Sequence, residues 1–319
     1  MEGKSEGAGR EDSFEWRRSI MYKIMMFSGG VYKFNELIEI VEDIGGFILQ
    51  SMVMQTETML HLAFPAEEEP RIKAKAKELG GKLKDLPLGG AEIMVVVPSL
   101  GKHHAVYPMC DIAEFLRRNG AITDMMGLAR GVGKRIAQMT VEEKAIINEC
   151  DAAVFVFGNF KECIEEKVKL CEMIDVPYII VGGPSASDVD LPHYVGGVGR
   201  RTSRMNRKED IEKLNEMAMA LADVLEEKRI ELEEDPLAAS PLFIKEMIEM
   251  IIPPKVTEEL PIVIHMDGLR VKVEAEDEEK IRDIEIGKRK LSEICEIKKS
   301  LYEGYLLEIL PEAVAGEIF

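Results

Sequence analysis

The five cysteines of this 319-residue chain, Cys110, Cys150, Cys163, Cys171 and Cys295, are scattered and include no C-x-x-C pair. An odd, dispersed set argues against a secreted disulfide framework, and the missing C-x-x-C argues against a zinc ribbon or a ferredoxin-type cluster. A reducing, cytoplasmic setting is expected. Basic charge is also short: Asp and Glu outnumber Lys and Arg 59 to 41, for a net charge of −18. Such a chain repels a phosphate backbone, which excludes broad nucleic-acid binding. No apolar run approaches the roughly 20 residues that a membrane span needs.

Phosphate-binding signatures are missing too. The stretch "GLARGVGKR" (127–135) places Gly and Lys close together, but its spacing is not G-x-x-x-x-G-K-[ST]. No G-x-G-x-x-G opens a helix after the first strand of the central segment. Neither NAD nor ATP is therefore expected on this chain. There is no nucleophile elbow and no isolated carboxylate pair, so hydrolase chemistry lacks its usual residues.

What is present is an ordinary globular composition, 46% apolar and 31% charged, and a length suited to two or three domains. Residues 1–18 read as a polar, Gly-rich lead-in. Residues 19–88 show the order strand, helix, strand, strand, helix, strand, which is the ferredoxin-like βαββαβ pattern. Residues 89–234 alternate short continuous apolar runs, "IMVVV", "AAVFVF" and "YIIVGG", with amphipathic helices. Runs of this kind suit strands buried on both faces of a parallel sheet, which predicts a doubly wound, flavodoxin-like α/β domain. Residues 235–319 form an extension for partner docking. It holds a short helix, a hairpin turning at Asp267-Gly268, and one long charged helix from Asp277 to Leu310 with Cys295 inside it. The fold class is α/β.

In open α/β sheets ligands sit at the carboxyl ends of the strands. Four segments are expected there: Ser99 to Met109, Gly127 to Lys134, Gly158 to Phe160, and Gly182 to Ser187. Gly127, Gly131, Gly133, Gly182, Gly183 and Ser185 are the candidates to wall a cofactor pocket, with backbone N–H groups able to meet an anion. The basic run "GRRTSRMNRK" (199–208) reads as a solvated turn before a helix or as a contact for an anionic cofactor or acidic partner.

The segment "PSLGKHHAVYPMCDI" (98–112) concentrates soft ligands at that edge. A thiol near a helix N-terminus is suited to metal ligation or nucleophilic attack because the helix dipole favours its anion. One His and one Cys are too few for a mononuclear zinc site, but they suffice for a preassembled metal–sulfur cluster held at a couple of atoms. The plain alternative is that Cys110 packs beneath the first helix turn while a histidine caps the strand end. Cys163, near the start of the helix after the third strand, is a second candidate. Cys150 and Cys171 read as core residues.

The runs "PSLGKHHAVYPMCDIAEFLRRNGAITDMM" and "MTVEEKAIINECDAAVFVFGNFKECIEEKVKLCEMIDVPYIIVGGP" resemble the C protein of the methyl-coenzyme M reductase operon and its longer relative, methanogenesis marker protein 7. The extra N-terminal domain and C-terminal tail make the chain look like the longer marker protein and not the shorter operon protein. The likeness covers roughly residues 90–250. It rests on a basic-His motif before Pro-x-Cys, a Thr-x-x-Glu helix start, an apolar strand ending in Gly-Asn, and a Val-Pro-apolar strand. It implies an archaeal methanogen and a non-catalytic place in the ATP-dependent assembly that activates methyl-coenzyme M reductase. The implied partners are the reductase, its operon C protein, other marker proteins and an ATPase component, with no nucleic acid or membrane. The implied cofactor is a complex iron–sulfur cluster of nitrogenase-precursor type, relaying low-potential electrons toward the nickel tetrapyrrole. The motif match falls on His104 and Cys110. His103 has no counterpart, and Cys163 has none in the shorter relative. A metal-free adaptor of the same complex and a small-molecule enzyme at the same edge stand as alternatives.

Overall fold

A computed structural model describes residues 22–30, 34–53, 58–98, 109–128, 138–198, 207–252, 262–302 and 304–316. Its first sheet grows from strand β1 (Tyr22–Gly29), where Met25 and Phe27 point inward. Helix α1 (Phe34–Asp43) follows, then β2 (Phe47–Val53), β3 (Thr58–Pro65), α2 (Glu69–Glu78) and β4 (Lys82–Asp85). The strands are ordered β2-β3-β1-β4 with every neighbour antiparallel, which is the split βαβ arrangement. Leu37 and Val41 of α1 and Ile72 and Ala76 of α2 pack on Met25, Phe27, Leu60 and Leu62. Gly80, with φ +71°, supplies the left-handed residue just past α2.

The second sheet is parallel, ordered β6-β5-β7-β8-β9. Strand β5 (Glu92–Val97) leads through α3 (Met109–Arg118) to β6 (Ile122–Gly127). Then come α4 (Val141–Asn148), β7 (Ala152–Val156), α5 (Lys161–Cys171), β8 (Tyr178–Val181), the two-residue β9 (Tyr194–Val195) and the long α6 (Arg207–Glu234). All residues of β5 and β7 are buried, because both faces are covered. Ile93, Val95, Val97, Val154 and Val156 meet α3 and α6 on one face. Met94, Val96, Ala153, Phe155 and Phe157 meet α4 and α5 on the other. Thr140 begins α4 with a capping box: its Oγ1 accepts from Glu143 N, and Glu143 Oε2 accepts from Thr140 N. Connections from β5 leave toward one face and those from β7 toward the other. The point where strand order reverses therefore lies between these two central strands.

The C-terminal part corrects one expectation. After α7 (Pro241–Ile251), strands β10 (Ile262–Ile264) and β11 (Gly268–Val271) form the hairpin around Asp267. The stretch expected as one charged helix is instead α8 (Glu278–Arg282), the tight hairpin β12 (Glu285–Ile286) and β13 (Arg289–Lys290), α9 (Leu291–Ile294), β14 (Cys295–Lys299) and β15 (Tyr305–Ile309). A short α10 (Glu312–Ala315) follows. The third sheet is ordered β10-β11-β15-β14. Two left-handed glycines forbid a continuous helix: Gly287 at φ +60° and Gly304 at φ +73°. A Cβ on Gly304 would lie 1.9 Å from Val271 O. Cys295 and Ile297 point inward and Glu296 and Lys298 outward, so the charges that suggested a helix line the exposed side of an edge strand. Among the described residues no helix is long and apolar enough to cross a membrane.

Candidate functional site

The carboxyl edge of the parallel sheet gathers several of the residues singled out from sequence. Gly127 ends β6 opposite Val97 of β5, and Phe157 N donates to Val181 O, so four strand ends stand in a row. Cys110 is the second residue of α3 and is exposed. Cys163 is the third residue of α5 and half-buried. The two thiols thus flank the reversal point from the first turns of helices on opposite faces. His104, Gly131 and Gly133 lie outside the described residues.

Cys163 is engaged. Lys167, one turn further along α5 and only 3% exposed, donates from Nζ to Cys163 Sγ at 2.6 Å. Gly182 and Gly183 act here by close approach. Gly182 N donates to Val195 O and Gly183 N to Gly158 O, and a Cβ on Gly183 would lie 2.2 Å from Asn159 Oδ1. Ser185 Oγ pairs with Ser187 Oγ at 2.7 Å and accepts from Ser187 N. These groups build the wall of the edge out of bonds within the protein. Among the described residues, no group of three or more His, Cys, Asp or Glu is placed to hold a metal ion. Cys150, Cys171 and Cys295 are buried, and burial pushes each thiol up, Cys295 to about 12.

At the opposite, amino edge lies a cluster that sequence reasoning missed. Glu92, the fully buried first residue of β5, receives Arg270 on both oxygens: Nη1 at 2.8 Å on Oε2, and Nη2 on Oε1. His265 Nε2 stands 2.8 Å from the same Oε2. Asp151, just before β7, accepts from Glu92 N and from Met266 N, each at 2.7 Å. Glu149 accepts from Ser300 Oγ and Leu301 N at 2.7 and 2.8 Å. Tyr302 lays its ring under the Arg270 guanidinium, 4.2 Å from its centroid, with its hydroxyl 3.7 Å from Cys150 Sγ. Three carboxylates of the parallel-sheet unit therefore bind the C-terminal sheet, at strand β11 and at its turns. A cleft of about 140 Å³ opens beside them, bordered by Asp175, Lys228 and Glu308.

Burial acts against charge throughout this cluster, and partners counter it unevenly. It pushes the Glu92 carboxyl up, but His265 and Arg270 together hold it below the ordinary range. Burial pushes the His265 imidazole down, and the bond to Glu92 with the charge of Asp151 more than reverses this. At Asp151 burial prevails over His265 and the two backbone N–H groups, and its pKa rises to about 6. The sequence signal was present in outline: a lone carboxylate heads each of two otherwise apolar strands, "AEIMVVV" and "CDAAVFV".

The family model for methyl-coenzyme M reductase operon protein C matches residues 22–284, which includes the first two sheets and the Glu92–Arg270 contact. The chain belongs to that family. An uncharacterized protein of Methanocaldococcus jannaschii is 42% identical to it over 291 residues, covering 90% of this chain and 93% of that protein. The matched span holds Cys110, Cys163 and Lys167 at the carboxyl edge and Asp151 and His265 at the amino edge. Ser300, Tyr302, β14 and β15 lie past it.

Proposed function

We propose that this chain serves methanogenesis as a non-catalytic subunit of the ATP-dependent assembly that activates methyl-coenzyme M reductase. In this reading it holds a preassembled iron–sulfur cluster at the carboxyl edge of its parallel sheet. The observation that carries it is the free, exposed Cys110 thiol in the first turn of α3, beside the reversal point where this sheet class takes its ligands. Family membership supports the association with the reductase.

The donor set fits an imported cluster. A mononuclear site needs about four protein ligands, whereas a cluster that arrives assembled can be gripped by two. Cys110 and His104 are the pair put forward. Cys163 is set aside because its sulfur already accepts from Lys167. The cluster would supply low-potential electron transfer toward the nickel tetrapyrrole. The chain's own parts would grip it through Cys110, wall it with the Gly182–Gly183 loop, and present the edge to the reductase and an ATPase component.

The test is to purify the protein anaerobically with its native partners and measure iron and sulfide. The content should fall sharply in Cys110→Ala and in His104→Ala. Unchanged content in both variants sinks the ligand assignment, and a wild-type complex without iron indicates a metal-free adaptor instead.

A further inference from the structure

Helix α5 carries a lysine on the side that faces the sheet. Lys167 shares that side with Ile164, Leu170 and Cys171, all buried. An ammonium held in such a place needs hydrogen-bond acceptors, since a buried charge without them is strongly unfavourable. Its Nζ lies 2.6 Å from Cys163 Sγ, one turn back on the same helix. Sulfur is a large acceptor, so this separation is short for an N–H···S hydrogen bond. It is also too long for a direct sulfur–nitrogen single bond. It matches the span of a sulfur and a nitrogen joined through one intervening oxygen atom.

Access and competition point the same way. Cys163 is half-buried, so a small oxidant reaches its sulfur, while the packed lysine stem keeps Nζ beside it. An oxidised cysteine is normally captured by a neighbouring thiol or nitrogen. Among the described residues, Cys171 lies two turns further along α5 and is fully buried, and the Lys167 amine is the nitrogen in contact with the Cys163 sulfur. That amine is placed to be joined to the first-formed sulfenic oxygen when a second peroxide removes two more electrons.

We propose that Cys163 and Lys167 form an oxidative modification site, in which peroxide links Sγ and Nζ through a single oxygen to give a reversible Sγ–O–Nζ bridge. The balance uses two hydrogen peroxide molecules. One S–H and one N–H bond break, one S–O and one O–N bond form, and four electrons pass from the pair to the two peroxides. One peroxide oxygen stays in the bridge, and the other three leave as three waters. A starting ammonium–thiolate pair gives the same count, with one proton merely relocated. This site is independent of cluster binding at Cys110.

The test uses the full chain carrying Cys110→Ser, so that Cys163 is the accessible thiol. The protein is treated with hydrogen peroxide, alkylated, digested with trypsin and mapped by mass. The expected product is a segment holding both residues that has gained one oxygen and lost two hydrogens, resists cleavage after Lys167, and reverts with dithiothreitol. With Lys167→Arg, Cys163 should proceed instead to sulfinic acid. The proposal is overturned if the Lys167 protein gives sulfinic acid with a cleavable lysine. It is equally overturned if Cys163 stays unmodified, or if two hydrogens are lost with no oxygen gained, which marks a direct S–N bond. Because the decisive map is read with both residues of the pair intact, it does not depend on how well the arginine variant folds.

Discussion

Arg270, in the second strand of the C-terminal sheet, grips both carboxylate oxygens of Glu92, the first residue of the central strand β5. The two residues are 178 positions apart in the chain and both are buried. Breaking such a pair from one side strands a charge in low dielectric, which costs about 3–5 kcal/mol. Arg270→Ala should lower unfolding stability by that amount in urea titration. Replacing both partners with Met should cost less than Arg270→Ala alone, because the Glu92 carboxylate is then not left without Arg270 and His265 can shed its proton.

Tyr302 offers a second test of the same contact. Its ring stacks on the Arg270 guanidinium, while its hydroxyl lies 3.7 Å from the Cys150 sulfur. Tyr302→Phe keeps the ring and should cost no more than about 1 kcal/mol. Tyr302→Ala removes both the cation–π contact and the packing, and should cost about 3 kcal/mol or more. Denaturant midpoints of the two variants distinguish these outcomes.

The pH response of the cluster has a definite sign. Asp151 moves from the ordinary 3.8 up to about 6, so its contribution is complete below about 4 and is lost as pH rises through 6. His265 is raised above 6.5, so its contribution is complete below that value and is lost as pH rises further. Glu92, lowered from 4.5, contributes above 4.5 and loses this as the medium becomes more acidic. Asp124, raised by burial and by the Glu92 charge, adds to the decline with rising pH. Stability should therefore peak in mild acid and fall toward neutrality. In His265→Gln the fall above pH 6.5 should be shallower, as read from denaturant midpoints across pH.

Two left-handed glycines separate backbone strain from crowding. Gly80 at φ +71° has open space where a Cβ would sit, and Gly304 at φ +73° has Val271 O at 1.9 Å. Gly80→Ala should cost about 1–2 kcal/mol, the backbone penalty alone. Gly304→Ala should cost a further 1–3 kcal/mol from overpacking. A thermal melt of each variant reads the difference.

Thiol reactivity should follow burial. In the native protein an alkylating reagent should modify Cys110 first and Cys163 more slowly. Cys150, Cys171 and Cys295, with thiols pushed up by burial, should react only on unfolding. Timed alkylation with peptide mapping checks this order.

The central sheet was legible in the sequence because strands buried on both faces are written as unbroken apolar runs, as in "IMVVV" and "AAVFV". The opening βαββαβ order was legible from helix faces such as Leu37 and Val41 and from the glycine pairs that follow both helices. Strand β14 was not, since "CEIKKS" has the Lys and Glu content of a helix and its period-two signal spans only Cys295 and Ile297. Placement of Cys110 at the carboxyl edge followed from strand order alone. The Lys167–Cys163 contact needed the helix face to be known. The Glu92, Asp151, His265 and Arg270 cluster showed only as a lone carboxylate heading each of two apolar strands, which normally reads as a solvated end, because its members meet only through tertiary folding.

Strand β5 runs from the Arg270 grip to the carboxyl edge of the sheet in six residues, a span of about 20 Å. It is packed on both faces and hydrogen-bonded to strands on both sides. The C-terminal sheet is thus fastened to one end of a stiff rod whose other end carries the cysteine edge. A partner that takes hold of the C-terminal sheet would steer that edge as a handle steers a blade, without covering it.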